Sequence, residues 1–319
     1  MGECLIDFLP YNREGQIDKL GWTEGFRMYP GGSPLNIAVG IARSGQPVAF
    51  ACKIANDYFG RYLRAYIEKE GIDTRYLAHV EGYSTLAFVA LEEGNAVFSF
   101  YGERAADALM TIDNVPEMLF METSILHVGS ISLLRGTTPT AVLETFERLK
   151  GKALLSLDPN IRPDLVRDEQ SYRALLQRFF ALTDLLKLSD VDLAWLMPGK
   201  SVEQGVRELL AQGPALVIVT QGAEGVFAMK SESRPLQVPA FSVAVVDTVG
   251  AGDAFCAGIL TMLAERRVVS HPALLALSDD DLETILRFAL GVAALNCTRE
   301  GADPPRRAEV EHFLVKQVD

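Results

Sequence analysis

Short apolar runs of strand length alternate along this chain with longer stretches of helical period. Cys4–Leu9 reads as a short strand. Pro34 stands just inside a helix start, where its missing N–H costs nothing, and that helix runs to about Ser44 with Gly45 as its stop. Val48–Lys53 is an expected strand, followed by Asn56 and Asp57 as a cap and a helix that ends near Gly71. The alternation continues with strand Ile125–Val128, helix Pro139–Lys150 and strand Ala153–Asp158. A helix near Glu169–Leu182, strand Leu185–Leu188, helix Val202–Gln212 and strand Leu216–Thr220 complete it. Strands separated by helices predict βαβ units, and so a mainly parallel sheet covered on both faces. Ligands of such sheets bind beyond the carboxyl ends of the strands.

One region breaks this pattern. Thr85–Glu92 and Ala96–Tyr101 are both β-prone, and Gly94-Asn95 between them is a turn signal, so they predict a hairpin. The stretch from about Ile17 to Tyr29 has no clear helical period. Together they predict a small β appendage contributed from about residues 10–30 and 83–104 of an α/β domain spanning 1–319. It could cover a site, pair two subunits, or do both. Beyond residue 240, Val243–Val246 is an expected strand, a helix follows Gly252, another spans about Asp280–Asn296, and the last fills Arg307–Val318.

Composition narrows the partners. The 319 residues are 49% hydrophobic and 23% charged, ordinary for a globular chain with a sizeable core. Formal net charge is -12 and the pI is about 4.9, with no Lys/Arg run, which argues against nucleic acid and anionic membrane surfaces. A phosphorylated ligand stays compatible, because helix N-termini hold phosphate without basic residues. Cys4, Cys52, Cys256 and Cys297 form no C-x-x-C pair, and His79, His127, His271 and His312 show no metal-ligand spacing. No signal-peptide pattern or membrane-length apolar run is present, so a soluble, cytoplasmic protein is expected.

Three strings carry chemistry. In Asp247-Thr248-Val249-Gly250-Ala251-Gly252-Asp253, a glycine turn opens an Ala/Gly-rich helix. Free N–H groups at the helix start suit developing negative charge, and Asp253 in the first turn suits a base; a plain helix cap is the alternative. Gly31-Gly32-Ser33-Pro34-Leu35-Asn36 is a second glycine turn before a helix, with Asn36 able to read sugar hydroxyls. Asp7, near the end of the first strand, can accept from hydroxyls or merely end that strand. Asp158-Pro159-Asn160-Ile161-Arg162 sets Asp, Asn and Arg just past a buried strand; a turn explains Pro159 and Asn160 but not Arg162. Gly199-Lys200-Ser201 is no phosphate loop, because Ala194 stands where the first glycine is needed, and Phe255 replaces the third glycine of a dinucleotide fingerprint.

In order and spacing these strings resemble those of the ribokinase-like (pfkB-type) carbohydrate kinases, and the resemblance covers essentially the whole chain. Within the family the chain is most similar to the fructokinases, through Gly2-Glu3-x-Leu5-Ile6-Asp7-Phe8, Leu86–Val89, Phe98-x-Phe100-Tyr101 and Ala106-Asp107. The resemblance implies a three-layer α/β/α fold with a β-sheet lid and ATP-dependent phosphorylation of a small sugar. Fructose, giving fructose 6-phosphate, leads; 2-keto-3-deoxygluconate or a riboside, or an inactive binder of the same fold, are the alternatives. It implies Asp253 as base, the N–H groups of Gly250, Ala251, Gly252 and Asp253 as anion hole, Asp7, Gly32, Ser33 and Asn36 around the sugar, and Arg162 near the sugar or the phosphates. ATP would lie against Thr220, Gly222, Gly225, Asn296 and Gly301. Potassium would sit near Asp247 and Thr248, and a homodimer would form through the lid.

Three departures from the family pattern stand out. Ser189-Asp190-Val191-Asp192 replaces the family's N-x-x-E or S-x-x-E, so Asp192, with Asp190 as alternative, is the implied contact to Mg²⁺ and its waters. Ala55-Asn56-Asp57 replaces Gly-Asp-Asp. Gly102 stands where fructokinases carry Arg, with Arg104 two residues on.

Overall fold

The structure is a computed structural model and describes residues 1–11, 25–92, 95–231 and 233–317. Residues 12–24 and 93–94 of the expected appendage, Gly94 of its expected turn among them, lie outside these. The chain opens with β1 (Leu5–Tyr11), β2 (Gly25–Gly31), α1 (Ser33–Arg43), β3 (Cys52–Ala55), α2 (Tyr58–Lys69), β4 (Leu77–Val80), β5 (Thr85–Glu92) and β6 (Asn95–Tyr101). Next come α3 (Glu117–Glu122), β7 (Ile125–Gly129), α4 (Thr138–Leu149), β8 (Leu154–Asp158), α5 (Glu169–Leu182), β9 (Leu185–Ser189), α6 (Asp190–Leu196) and α7 (Val202–Leu210). The remainder is β10 (Leu216–Thr220), β11 (Val226–Lys230), β12 (Leu236–Val238), α8 (Ala251–Glu265), α9 (His271–Leu275), α10 (Asp279–Asn296) and α11 (Arg307–Val315).

Local signals set most of these limits. Pro34 lies in the first turn of α1, and Gly45 follows the helix at φ +85°. The Asp57 carboxylate caps α2 by accepting from Gly60 N–H at 2.7 Å. The central sheet has the order β12-β11-β10-β9-β8-β7. β7 to β10 are parallel and β11 and β12 antiparallel, with Gly129 opposite Asp158 and Thr220 opposite Ser189, so the carboxyl ends are level. One face packs on α4–α7 through residues such as Phe146, Phe179 and Leu209. The other packs on α1, α8, α10 and α11 through Ile37, Phe255, Leu286 and Val310. This is a three-layer α/β/α arrangement. A Cβ at Gly258 would fall 2.6 Å from Ala289 Cα, so glycine sets how closely α8 and α10 pack.

A smaller sheet of order β2-β1-β5-β6 stands beside the larger one. β1 therefore pairs in this sheet, and the residues before it reach the neighbouring layers: the Met1 amine donates to His127 O (2.9 Å), Gly2 N–H to Ala51 O (3.1 Å) and Glu3 N–H to Ser132 Oγ (2.7 Å). The expected strand Val48–Lys53 narrows to Cys52–Ala55 preceded by one bridge, Ala49 to Asp73, because the partner segment turns at Thr74–Leu77. Val243–Val246 is not a strand. It has no strand partner, Val245 and Val246 are exposed, and Val246 N–H donates to Cys297 O, so β-branched residues alone do not make a strand here. Helix α8 also starts two residues earlier than expected, at Ala251.

Candidate active site

Helix α8 has Gly250 at its N-cap in the left-handed region (φ +73°), which places the next peptide groups at the mouth of a cavity of about 280 Å³. Ala251 N–H donates to Thr248 O at 3.2 Å. Among the described residues no acceptor pairs with the N–H groups of Gly250, Gly252 or Asp253, which stay available to an anion. Asp253 follows in the first turn. Its Oδ1 accepts from Ser33 Oγ at 2.6 Å and its Oδ2 from Asn36 Nδ2 at 2.9 Å. The two glycine turns, far apart in sequence, thus close on one carboxylate. Burial raises the Asp253 carboxyl above its ordinary range; the bonds from Ser33 and Asn36 and the nearby Lys187 and Arg162 charges pull the other way. A raised carboxyl with fixed orientation is what a general base needs.

Across the cavity, β1 presents Asp7 beside Gly31 and Gly32. A Cβ at Gly31 would fall 1.9 Å from Asp7 Oδ2, so only glycine leaves room for that carboxylate. Gly32 adopts φ +104° against the Glu3 backbone. Among the described residues no hydrogen-bond donor holds the Asp7 carboxyl, although burial, Asp253 and Glu3 push it up to about 7 against the pull of Arg162. It is an acceptor pair awaiting donors, which is how a carboxylate receives sugar hydroxyls. Glu3 lies deeper, accepting from Ser132 Oγ and, at 3.1 Å, from Ser132 N–H; burial raises it to about 6.

The Asp158–Arg162 turn forms the third wall. Asn160, at φ +40°, accepts from Arg162 Nη1 through its Oδ1 (2.6 Å) and its carbonyl (3.1 Å), aiming the guanidinium at the cavity. Asp158 Oδ2 accepts from Lys187 Nζ at 2.6 Å, and both side chains are buried. Lys187 was not singled out in the sequence, and neither were Glu3 and Phe100, which line the same cavity. The signal was present for Lys187: a lysine inside the apolar run Leu185–Leu188 must be paired to be buried.

Other sequence candidates take different positions. Asp192 does not line the cavity. Its Oδ1 accepts from Ile161 N–H (2.8 Å), and its Oδ2 from Ser189 N–H (3.0 Å) and Oγ (2.7 Å). Asp190 is exposed and accepts from Val191 N–H at 2.9 Å. Asp247 braces the loop that leads into α8, accepting from Val249 N–H (3.0 Å) and from Gly301 N–H (2.8 Å). Thr248 lines the cavity, while buried Asn296 donates to Val249 O at 2.8 Å, and among the described residues its Oδ1 has no hydrogen-bond partner. Thr220 ends β10, and Gly222 (φ +56°) and Gly225 (φ +101°) shape the turn after it, away from the sugar-sized cavity. A Cβ at Gly225 would fall 2.1 Å from Val238 O, so packing already requires that glycine. At the departure from the fructokinase pattern, Gly102 O accepts from Arg135 Nη1 (3.3 Å), itself ion-paired to Asp107 at 3.0 Å; Arg104 is exposed and does not line the cavity.

Comparison with known proteins identifies the family. The pfkB family of carbohydrate kinases matches residues 1–308. The chain belongs to that family. A fructokinase of Rhizobium leguminosarum bv. trifolii is 34% identical over 99% of this chain and 90% of its own length. A fructokinase from Xylella fastidiosa with bound ATP superposes with a TM-score of 0.90 at 30% identity, covering 100% of this chain and 98% of the other. A Vibrio cholerae fructokinase double mutant, bound to fructose, ADP and a potassium ion, gives 0.84 at 27% identity, covering 98% and 96%. The fold is the ribokinase-like three-layer sandwich with a smaller sheet, and the protein is a sugar kinase. In pfkB terms, Asp253, the open N–H groups of α8 and the Asp7 wall converge on one cavity.

Proposed function

We propose that the protein transfers the γ-phosphoryl group of ATP to the 6-hydroxyl of D-fructose. The observation that carries this reading is Asp253, buried and gripped by Ser33 and Asn36 at the N-terminus of α8, facing the Asp7 carboxyl, which no donor holds among the described residues. The fructokinase names of the relatives supply the sugar. Asp7 and Asn36 hold hydroxyls of the sugar, and Arg162 closes the third side. Asp253 takes the proton of the attacking hydroxyl as its oxygen bonds to phosphorus. The bond from that phosphorus to the ADP oxygen breaks, and the N–H groups of Gly250, Gly252 and Asp253 meet the charge on the transferring group.

The ions and the assembly belong to the same proposal. Asp192 has its oxygens committed to Ile161 and Ser189, so it does not fit a direct Mg²⁺ ligand; Mg²⁺ comes with the ATP phosphates and keeps its waters. For potassium, the Asp247–Val249 loop, braced from Gly301, and the Asn296 Oδ1 beside it, which has no hydrogen-bond partner among the described residues, offer an oxygen-rich setting, which fits a hard monovalent ion that would order the anion hole. The smaller sheet serves as a lid, since Leu5, Asp7 and Phe100 line the cavity from it. Its opposite face carries Phe8 stacked on Phe88 at 4.9 Å and edge-on to exposed Phe26, a surface for a second subunit. A coupled assay of ADP release over a panel of sugars tests the substrate: fructose should give the highest kcat/KM. A higher value for a riboside or 2-keto-3-deoxygluconate would replace it, and no turnover on any sugar would favour a binding protein.

A further inference from the structure

Lys187 is the one lysine among the residues lining the cavity, and it comes from the middle of a strand whose neighbours Leu186 and Leu188 are fully buried. Its ammonium donates to Asp158 Oδ2 at 2.6 Å, and among the described residues this is its one hydrogen bond, although an ammonium has three donors. A Cβ at Gly252 would fall 3.0 Å from Lys187 Nζ, which puts the charge directly beneath the open N–H groups of α8. The bland account is that Lys187 only neutralises Asp158. Asp158 Oδ1 accepts from Asn160 N–H at 3.1 Å, a turn contact that a neutral asparagine could make without any buried lysine. Burying both members of an ion pair, at 1% and 5% exposure, is a costly way to hold a turn. It makes sense where the ammonium has an anion to meet.

We propose that Lys187 is a catalytic residue of the phosphoryl transfer: its free donors bind the oxygens of the transferring γ-phosphoryl group from below, while Asp158 holds the ammonium in place. The proposal rests on the kinase reading of the site. Lys187 keeps its proton throughout. The hydroxyl proton goes to Asp253, the phosphorus–ADP oxygen bond breaks with its electrons left on ADP, and the new phosphorus–sugar oxygen bond forms. Burial pulls the pKa of the ammonium down, while the charge and hydrogen bond of Asp158, with Cys256 and Asp192, together hold it above the ordinary lysine value, so it stays charged at the pH of the reaction. The ammonium adds full charge to the partial charges of the helix N-terminus.

The test compares Asp158→Asn with the double variant Lys187→Met/Asp158→Asn, so that no carboxylate is left buried and unpaired when the lysine is removed. Wild-type turnover on the sugar is established first, which separates failure of this proposal from failure of the kinase reading. Single-turnover transfer from ATP should be about 100-fold or more slower in the double variant than in Asp158→Asn. KM for the sugar should stay within about threefold, and the extra affinity for ADP with aluminium fluoride over ADP alone should be lost. A double variant that transfers within about fivefold of Asp158→Asn, with its preference for the aluminium fluoride complex intact, would show Lys187 to be only the counter-ion of Asp158.

Discussion

Replacing Asp7 by asparagine should make the ligand-free protein more stable and a worse enzyme. The Asp7 carboxyl is pushed from an ordinary 3.8 to about 7 by burial, then by Asp253 and Glu3. At ~1.4 kcal/mol for each pH unit, that opposes the ionised form by about 4 kcal/mol, a ceiling because cavity water screens part of it. The folded-state pKa is raised, so the stabilisation that Asp7 contributes when protonated is complete below about pH 4 and lost as pH rises through about 7. No protein donor among the described residues would be orphaned by the change. Urea unfolding of wild type and Asp7→Asn without ligands should show no difference near pH 4 and a gain of roughly 1–4 kcal/mol for the variant at pH 8. Sugar KM should meanwhile rise roughly 10- to 100-fold, since charge-assisted hydrogen bonds to hydroxyls are lost. Equal stability differences at both pH values would refute the reasoning, because the effect would then not come from ionisation of Asp7.

Two further outcomes follow from the loops and the smaller sheet. Exchanging potassium for tetramethylammonium should lower kcat at saturating ATP and sugar by about tenfold or more, since the loop at Asp247–Val249 carries the anion hole; an unchanged kcat would remove the potassium proposal. Sedimentation equilibrium should give twice the chain mass of 34.9 kDa, and Phe26→Asp should return the monomer; a wild-type monomer at micromolar concentration would remove the dimer.

Where local chemistry decides structure, the sequence was readable. Pro34 and Gly45 delimit α1, Asp57 caps α2, and the regular alternation from Ile125 to Thr220 gives the parallel strands. The approach of Ser33 and Asn36 to Asp253 joins residues 220 and 217 positions apart, and only the resemblance to the family suggested it in advance. Long-range pairing also explains the misreadings. β1 looks like a core strand but pairs with β2 and β5, and Val243–Val246 has strand composition without a neighbour. Lys187 stands out in its apolar run, but its meaning depends on Asp158 from another strand. Asp192 shows the reverse: its position in a family string suggested a metal, whereas its oxygens close the cap of α6 and pin Ile161.

The central claim is that Asp253 is the base of a sugar phosphorylation, and the same ADP-release assay tests it with one substitution. Asp253→Asn keeps the size of the side chain beside Ser33 and Asn36 but cannot take a proton. The account predicts that turnover on fructose falls about 10²- to 10⁴-fold while fructose still binds, as measured by calorimetry. Turnover within about threefold of wild type would contradict it.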